Sequence, residues 1–115
     1  MFINFEDPYF VTHNEPQVIE EMISIYKEYF DKQLKYLFFD EIHAINHWES
    51  AIRKLRDASF YKIFITGSSS KLLSKELSTL LTGRHISYQI MPLSFSEFLS
   101  FKGIELKDKK DVILK

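Results

Sequence analysis

The sequence predicts an α/β fold in which helices flank a parallel sheet. Short apolar runs without alternation, which are typical of strands in parallel sheets, take turns along the chain with longer segments that have helical apolar spacing. Strands that alternate with helices form βαβ units. The chain has 115 residues, of which 45% are hydrophobic, so it can build the core of one domain.

Composition excludes several classes of protein. The net charge of −1 argues against a dedicated nucleic-acid binder. The lack of cysteine excludes disulfides, cysteine-based zinc sites and a thiol nucleophile. No apolar run approaches the roughly 18 residues of a membrane span, and Glu6 and Asp7 interrupt any signal peptide. We therefore expect a cytoplasmic domain with no membrane partner.

Charge is unevenly distributed along the chain. Residues 1–60 hold 6 basic and 11 acidic side chains, whereas residues 61–115 hold 9 and 5. The basic half is either a solvated face and tail or a contact for phosphates or an acidic partner. A DNA-associated factor therefore stays open as an alternative.

The first half of the chain predicts a strand, a helix and a second strand. Residues 2–5 form the first strand, and Pro16 lies in the first turn of the helix. The run 36–39 is apolar throughout and ends at Asp40, which predicts a strand covered on both faces. The apolar residues of the helix predict one core-facing stripe: Val18, Ile19, Met22, Ile23, Tyr26, Tyr29 and Phe30.

The second half predicts three more helices and two strands. A helix starts at Trp48 with Asn46 as its cap, and residues 63–65 form the next strand. Residues 68–70 cap a leucine-rich helix that extends to Leu81. Apolar residues alternate with polar ones over 86–90, which predicts a fourth strand, and Ser94 with Glu97 form a capping box that opens a last helix.

Polar side chains follow two of the predicted strands at their carboxyl ends, where ligands bind in open α/β sheets. Asp40 and Glu41 end one strand, and Thr66 and Ser68 follow the next. A pair of carboxylates suits nucleotide hydrolysis, because one can hold Mg²⁺ and the other can orient and deprotonate the attacking water. The alternative is that both acids merely end a strand and start a turn.

The motifs resemble one group of prokaryotic, especially archaeal, AAA+ ATPases. Residues 36–43 followed by Trp48-Glu49 resemble its Walker B segment, and 63–70 resemble its sensor-1 strand with a Thr-Gly-Ser-Ser end. Residues 81–84 are similar to its Leu-x-Gly-Arg element, and 91–99 to its Pro-Leu-Ser-Phe-x-Glu-Phe segment. The resemblance covers about residues 2–100 and implies a P-loop-type parallel sheet.

For the site, the resemblance implies ATP hydrolysis with Mg²⁺. It implies that Asp40 holds the metal with the nucleotide, that Glu41 polarises water, and that Ser68 contacts the γ-phosphate or that water as a sensor. Thr66 would be a further nucleotide-binding residue. Arg84 would reach the γ-phosphate of a neighbouring subunit. Two alternatives stay open: Ser68 caps the following helix, and Arg84 is a surface arginine that caps the preceding one.

The sequence departs from this group in its phosphate-binding loop. No G-x-x-x-x-G-K-[ST] motif occurs in the 115 residues. In such proteins this loop precedes the strand that here begins at Phe2, so we expect residues 1–115 to be one partial AAA+ core, as a fragment, a truncated frame or a degenerate relative. ATP binding by this chain should be weak or absent. A non-catalytic remnant that serves oligomerisation or another interaction is the second hypothesis.

The resemblance also implies a gap in the sheet. The P-loop strand would lie between strands 62–66 and 86–91, and unpaired backbone groups beside apolar side chains are unfavourable. The chain should therefore pair these two strands directly, borrow strands from another copy or recruit a missing N-terminal segment. The small net charge favours self-association.

Two histidines suggest a different chemistry. His43 and His47 are four residues apart, which on one helix would suit Zn²⁺. The pair directly follows a strand and lacks the H-E-x-x-H pattern, which favours a loop without a metal.

Overall fold

A computed structural model describes residues 1–58, 60–68 and 85–104. The first two of these ranges contain β1 (Phe2–Asn4), α1 (Tyr9–Thr12), α2 (Gln17–Tyr29), β2 (Tyr36–Asp40), a 3₁₀ turn (Ile42–Ala44), α3 (Trp48–Asp57) and β3 (Lys62–Ile65). The third contains α4 (Phe95–Phe101). The predicted leucine-rich helix and the Leu-x-Gly-Arg element lie outside the described residues.

The strands form a parallel sheet in the order β1-β2-β3. Phe38 lies between Phe2 and Phe64, and Phe39 lies between Ile3 and Ile65. Each crossover connection adds the next strand beside the previous one, on the same side of it. Because such crossovers are right-handed, both helices lie on the same face of the sheet. The predicted α/β class with a parallel sheet is confirmed.

The core lies between that face and helices α2 and α3. Leu37 and Phe39 of β2 are fully buried there, 0% and 1% exposed. Phe5 packs its ring against Phe10 at 4.8 Å and against Phe39 at 5.7 Å between ring centroids. The buried cluster consists of Phe5, Phe10, Val18, Ile19, Ile23, Leu34, Leu37, Phe39, Ile42, Ile45, Trp48, Ala51, Ile52 and Leu55.

The opposite face of the sheet is open within the described residues. Phe2, Phe38 and Phe64 form an exposed row across the three strands, which we call the aromatic row. The rings of Phe38 and Phe64 stack with centroids 4.7 Å apart. Within the described residues β2 is covered on one face only, because both crossover helices lie on that face. Cover of the other face stays a prediction.

The helix starts combine confirmed and wrong predictions. Pro16 precedes α2 as its N-cap, and Ser94 with Glu97 form the predicted capping box of α4. The cap of α3 was predicted wrongly, since His47 occupies the position expected for Asn46, with a left-handed backbone at φ 50°. The four-residue helix α1 after Pro8 was not predicted.

Two predictions about apolar segments are also wrong. The stripe of α2 is buried at Val18, Ile19 and Ile23, but Tyr29 at the end of the helix and Phe30 just after it are exposed. Residues 85–94 contain neither helix nor strand, so the predicted fourth strand and its direct pairing with β3 do not occur. Alternation supplies one apolar face, but a strand also needs a neighbour to which it can hydrogen-bond.

The longest helix of the described ranges has 13 residues. None of the helices there combines the length and the apolar character that a bilayer span requires.

Candidate functional site

The carboxyl ends of β2 and β3 bring three of the predicted site residues together. The register that pairs Phe39 with Ile65 sets Asp40 beside Thr66. The backbone of Thr66 links the two strand ends, because its N–H donates to the carbonyl of Phe39 at 2.9 Å and its carbonyl accepts the N–H of Ile42 at 3.2 Å. The position of Thr66 is therefore fixed by the sheet itself.

The hydroxyl of Thr66 connects both acidic residues. It donates a hydrogen bond to Oδ1 of Asp40 and accepts the backbone N–H of Glu41 at 3.2 Å. Oδ2 of Asp40 has no hydrogen-bond partner among the described residues. One hydroxyl thus orients the Asp40 carboxylate and holds the first backbone group past the strand.

Glu41 leaves β2 with a left-handed backbone, at φ 50° and ψ 45°. Residues other than glycine occupy this region rarely, and strained backbone concentrates at functional sites. The turn ends the strand and starts the 3₁₀ turn that follows. As a result the chain changes direction at the residue whose carboxylate was predicted to handle water.

The carboxylate of Glu41 lies against His43. Oε2 of Glu41 is 3.0 Å from Nδ1 of His43, and the two side chains are 27% and 17% exposed. This Nδ1 is buried and has no hydrogen bond to any described residue, so the Glu41 carboxylate is its polar neighbour. The contact limits where the Glu41 side chain can lie.

A family model for the AAA domain matches residues 1–99. The chain belongs to the AAA domain family. The match covers most of the 115 residues, so the ATPase-like family predicted from the motifs is confirmed. The narrower archaeal group stays a prediction.

The AAA domain is similar to two uncharacterized proteins. One, from Methanocaldococcus jannaschii, is 44% identical over 115 residues, which is 100% of this chain and 25% of the relative. The other, from Haemophilus influenzae, is 34% identical over 109 residues, 95% of this chain and 27% of the relative. The chain thus spans about a quarter of the length of these relatives. No solved structure matches it at a significant level.

The remaining predicted site residues of the AAA domain are not joined to this group. Ser68 is exposed two residues past Thr66, and it makes no described hydrogen bond to Asp40 or Glu41. Arg84 lies outside the described residues. No described contact therefore supports the roles predicted for these two residues.

Two features of the site escaped prediction from the sequence. The motif gave no sign of the left-handed backbone of Glu41, a position where glycine would be the usual residue. The spacing of the histidines pairs His43 with His47, whereas the structure places His43 against Glu41. The spacing of His43 two residues past Glu41, in a tight turn, is the signal that could have indicated this contact.

The donor set of the AAA domain suits Mg²⁺ that arrives with a nucleotide. Protein sites for this ion supply one or two carboxylates, while phosphates and water complete the octahedron. Asp40 offers one carboxylate oxygen, and Thr66 adds a hydroxyl beside it. The described residues contain no group of three or more His, Cys, Asp or Glu side chains that could hold a metal ion without such a ligand.

Proposed function

We propose that this AAA domain carries the metal-binding and water-activating half of an ATP-hydrolysis site. The main observation in support of this proposal is the Thr66 hydroxyl, which joins the Asp40 carboxylate to the Glu41 backbone at the carboxyl edge of the sheet. Membership of the AAA family supports nucleotide and Mg²⁺ binding in general. The specific roles below are our proposal.

Asp40 is the proposed ligand of Mg²⁺, directly or through water. Its Oδ1 is held by Thr66, which leaves Oδ2 for the ion. The metal would supply charge neutralisation on the phosphates. Ser68, on the same edge, is the proposed sensor of the γ-phosphate.

Glu41 is the proposed base that orients the attacking water and accepts its proton. The left-handed backbone sets where its carboxylate lies, and His43 restrains that carboxylate at 3.0 Å. Arg84 is proposed to act on the γ-phosphate of a neighbouring subunit. Transition-state charge in phosphoryl transfer is stabilised mainly by such positioned groups.

The phosphate-binding loop has to come from outside these residues. No such motif occurs in the sequence, and backbone N–H groups of that loop supply most phosphate contacts in related sites. The 115-residue chain alone should therefore bind Mg-ATP weakly or not at all. Isothermal titration measures this, and a micromolar dissociation constant would reveal a second phosphate site.

The decisive experiment compares carboxylate variants in a full-length protein that carries this domain together with a phosphate-binding loop. Glu41→Gln should keep nucleotide affinity and lower kcat by about 10²-fold or more, because water activation alone is lost. Asp40→Asn should weaken Mg²⁺-dependent binding and turnover together. Glu28→Gln, which changes an exposed residue of α2 away from the site, is the matched control. Unchanged kcat in Glu41→Gln would assign this residue to a structural role.

A second candidate function is a non-catalytic interaction module. The aromatic row favours it, since three phenylalanines on one open sheet face form the kind of apolar surface that binds other proteins. The same variants separate the two functions. A turnover rate that neither Asp40→Asn nor Glu41→Gln changes would favour the interaction module.

A further inference from the structure

His43 brings a ring nitrogen to the carboxylate of Glu41 without completing a hydrogen bond to it. Its Nδ1 lies 3.0 Å from Oε2 of Glu41, which is hydrogen-bond distance, yet this buried nitrogen has no aligned partner among the described residues. A buried polar atom without a hydrogen bond is unfavourable. Because the Glu41 carboxylate is the acceptor within reach, a small rotation of either side chain completes the bond.

The chemistry of the two groups decides which atom carries the proton. An ionised carboxylate can only accept hydrogen bonds, whereas each nitrogen of a neutral imidazole is either a donor or an acceptor. An unprotonated Nδ1 beside Oε2 would set one lone pair against another, so the contact favours the tautomer with the proton on Nδ1. In that tautomer His43 donates to Glu41 in a charge-assisted bond, which is stronger than a bond between neutral groups.

The backbone of the turn holds the His43 ring in place. Ile42 and Ile45, on either side of His43, are fully buried. The N–H of Ile42 donates to the Thr66 carbonyl at 3.2 Å, and the N–H of Ile45 donates to the Ile42 carbonyl at 3.0 Å. The ring therefore projects from a turn that is anchored in the core and bonded to the end of β3. Support of this kind preorganises a donor for the charged group that it faces.

We propose that His43 is a positioning residue for Glu41, an inference that rests on the proposed hydrolytic role of that carboxylate. The Nδ1–H of His43 donates to one carboxylate oxygen of Glu41 and leaves the other oxygen to orient the attacking water. This bond tightens when nucleotide and metal complete the site, as catalytic hydrogen bonds commonly do. Because His43 fixes the angle of the carboxylate, it acts on the chemical step and not on nucleotide binding.

The first test measures kcat and nucleotide affinity in the full-length protein that carries this domain together with a phosphate-binding loop. His43→Ala should lower kcat about 10-fold and leave nucleotide affinity within about twofold, because the interaction serves the transition state alone. His43→Asn should keep kcat within about threefold, since its side-chain amide nitrogen can take the place of Nδ1 and donate in the same way.

His47→Asn is the matched control for these variants. His47 is an exposed histidine of the same segment, and its left-handed backbone is one that asparagine tolerates. This substitution should change neither kcat nor nucleotide affinity. Circular dichroism checks that all three variants keep the fold.

The second test asks whether His43 acts through Glu41. In the Glu41→Gln background, His43→Ala should lower the remaining kcat by less than about twofold, because the carboxylate that it positions is gone. The same loss in both backgrounds would mean that His43 acts elsewhere, and would overturn the proposal. A Glu41→Gln variant with unchanged kcat would instead contradict the proposed function, and this inference with it, so the two failures are distinguishable.

The third test locates the proton on His43 without measuring activity. Nitrogen–proton NMR of the imidazole rings in the 115-residue chain, recorded at alkaline pH where the rings are neutral, distinguishes the protonated from the unprotonated nitrogen. The signals that disappear in His43→Asn identify His43 among the four histidines. Nδ1 should carry the proton in the unmodified chain, and this preference should weaken in Glu41→Gln.

Three further results would overturn the proposal. The first is a proton on Nε2 of His43 in the unmodified chain, since Nδ1 could not then donate. The second is an unchanged kcat in His43→Ala when Glu41→Gln lowers it. The third is a His43→Asn variant that loses as much kcat as His43→Ala, since a donor at this position would then play no part.

Discussion

The two faces of β2 differ sharply although their residues alternate within one short strand. Leu37 and Phe39 point into the helical layer and are 0% and 1% exposed, whereas Tyr36 and Phe38 are 51% and 41% exposed on the other side. All four residues are apolar or aromatic, so composition does not distinguish the faces. The handedness of the crossovers does, since it sends α2 and α3 to the same side.

An apolar strand is most stable when both of its faces are covered, but the described part of this chain covers only one face of β2. The closed face is covered by α2 and α3. The open face carries the aromatic row and, at its carboxyl end, Asp40 and Thr66. The proposed site and the aromatic row therefore share one side of the sheet.

The largest expected effect comes from truncating neighbouring phenylalanines on opposite faces. Phe39→Ala should lower the free energy of unfolding by about 3–5 kcal/mol, because it opens a cavity in the core. Phe38→Ala should cost less than half as much, since its ring is 41% exposed and leaves no enclosed cavity. Denaturant-induced unfolding of both variants measures the difference. Equal losses would mean that the open face is covered in solution.

A smaller effect is expected at the polar end of the open face. Thr66→Val keeps the shape of the side chain and removes the hydroxyl that joins Asp40 to the Glu41 backbone. The free energy of unfolding should fall by about 1 kcal/mol, the usual worth of a hydrogen bond. The amide resonance of Glu41 should move in the nitrogen–proton NMR spectrum.

Thr66→Ser is the matched control for that substitution. It retains the hydroxyl and should leave the amide resonance of Glu41 close to its original position. If Thr66→Val and Thr66→Ser gave the same spectrum, the hydroxyl would not hold the strand ends together.

The smallest effect concerns the capping box of α4. Hydrogen bonds from the Ser94 side chain and backbone lower the pKa of Glu97 below its ordinary value of 4.5. The charged form is thus favoured in the folded helix. Its stabilising contribution is complete above pH 4.5 and is lost as the pH falls through the lowered pKa.

A carboxyl carbon NMR titration of Glu97 measures this pKa directly. Ser94→Ala should return it toward 4.5 and reduce the helicity of residues 95–101, because the cap is lost. Leu99→Ala, which removes the buried residue of this helix, is the control that leaves the cap intact. A pKa that ignored Ser94→Ala would rule out the capping box as its cause.

Local signals in the sequence predicted the local features of the fold. Pro16 and the Ser94-Glu97 pair indicated two helix starts, and apolar runs indicated β2 and β3. The exposure of Phe30 and the lack of a strand at residues 86–91 could not be predicted in this way. Both have the right spacing, but burial and pairing depend on partners elsewhere in the structure, which spacing does not encode.

The site was predictable to a similar degree. Strand ends predicted the meeting of Asp40 with Thr66, because parallel strands finish at one edge. The contact between Glu41 and His43 depends on the dihedral angles of a single turn, which residue types alone do not specify.

The left-handed backbone of Glu41 sets stability against activity. Glycine adopts these angles without steric cost, whereas a side chain there costs about 1–2 kcal/mol. A screen that rewards only thermal resistance should therefore select Glu41→Gly. On the proposed mechanism, the Glu41→Gly variant would lack the water-activating carboxylate. Selection for thermal resistance and selection for turnover would therefore favour different residues at this position.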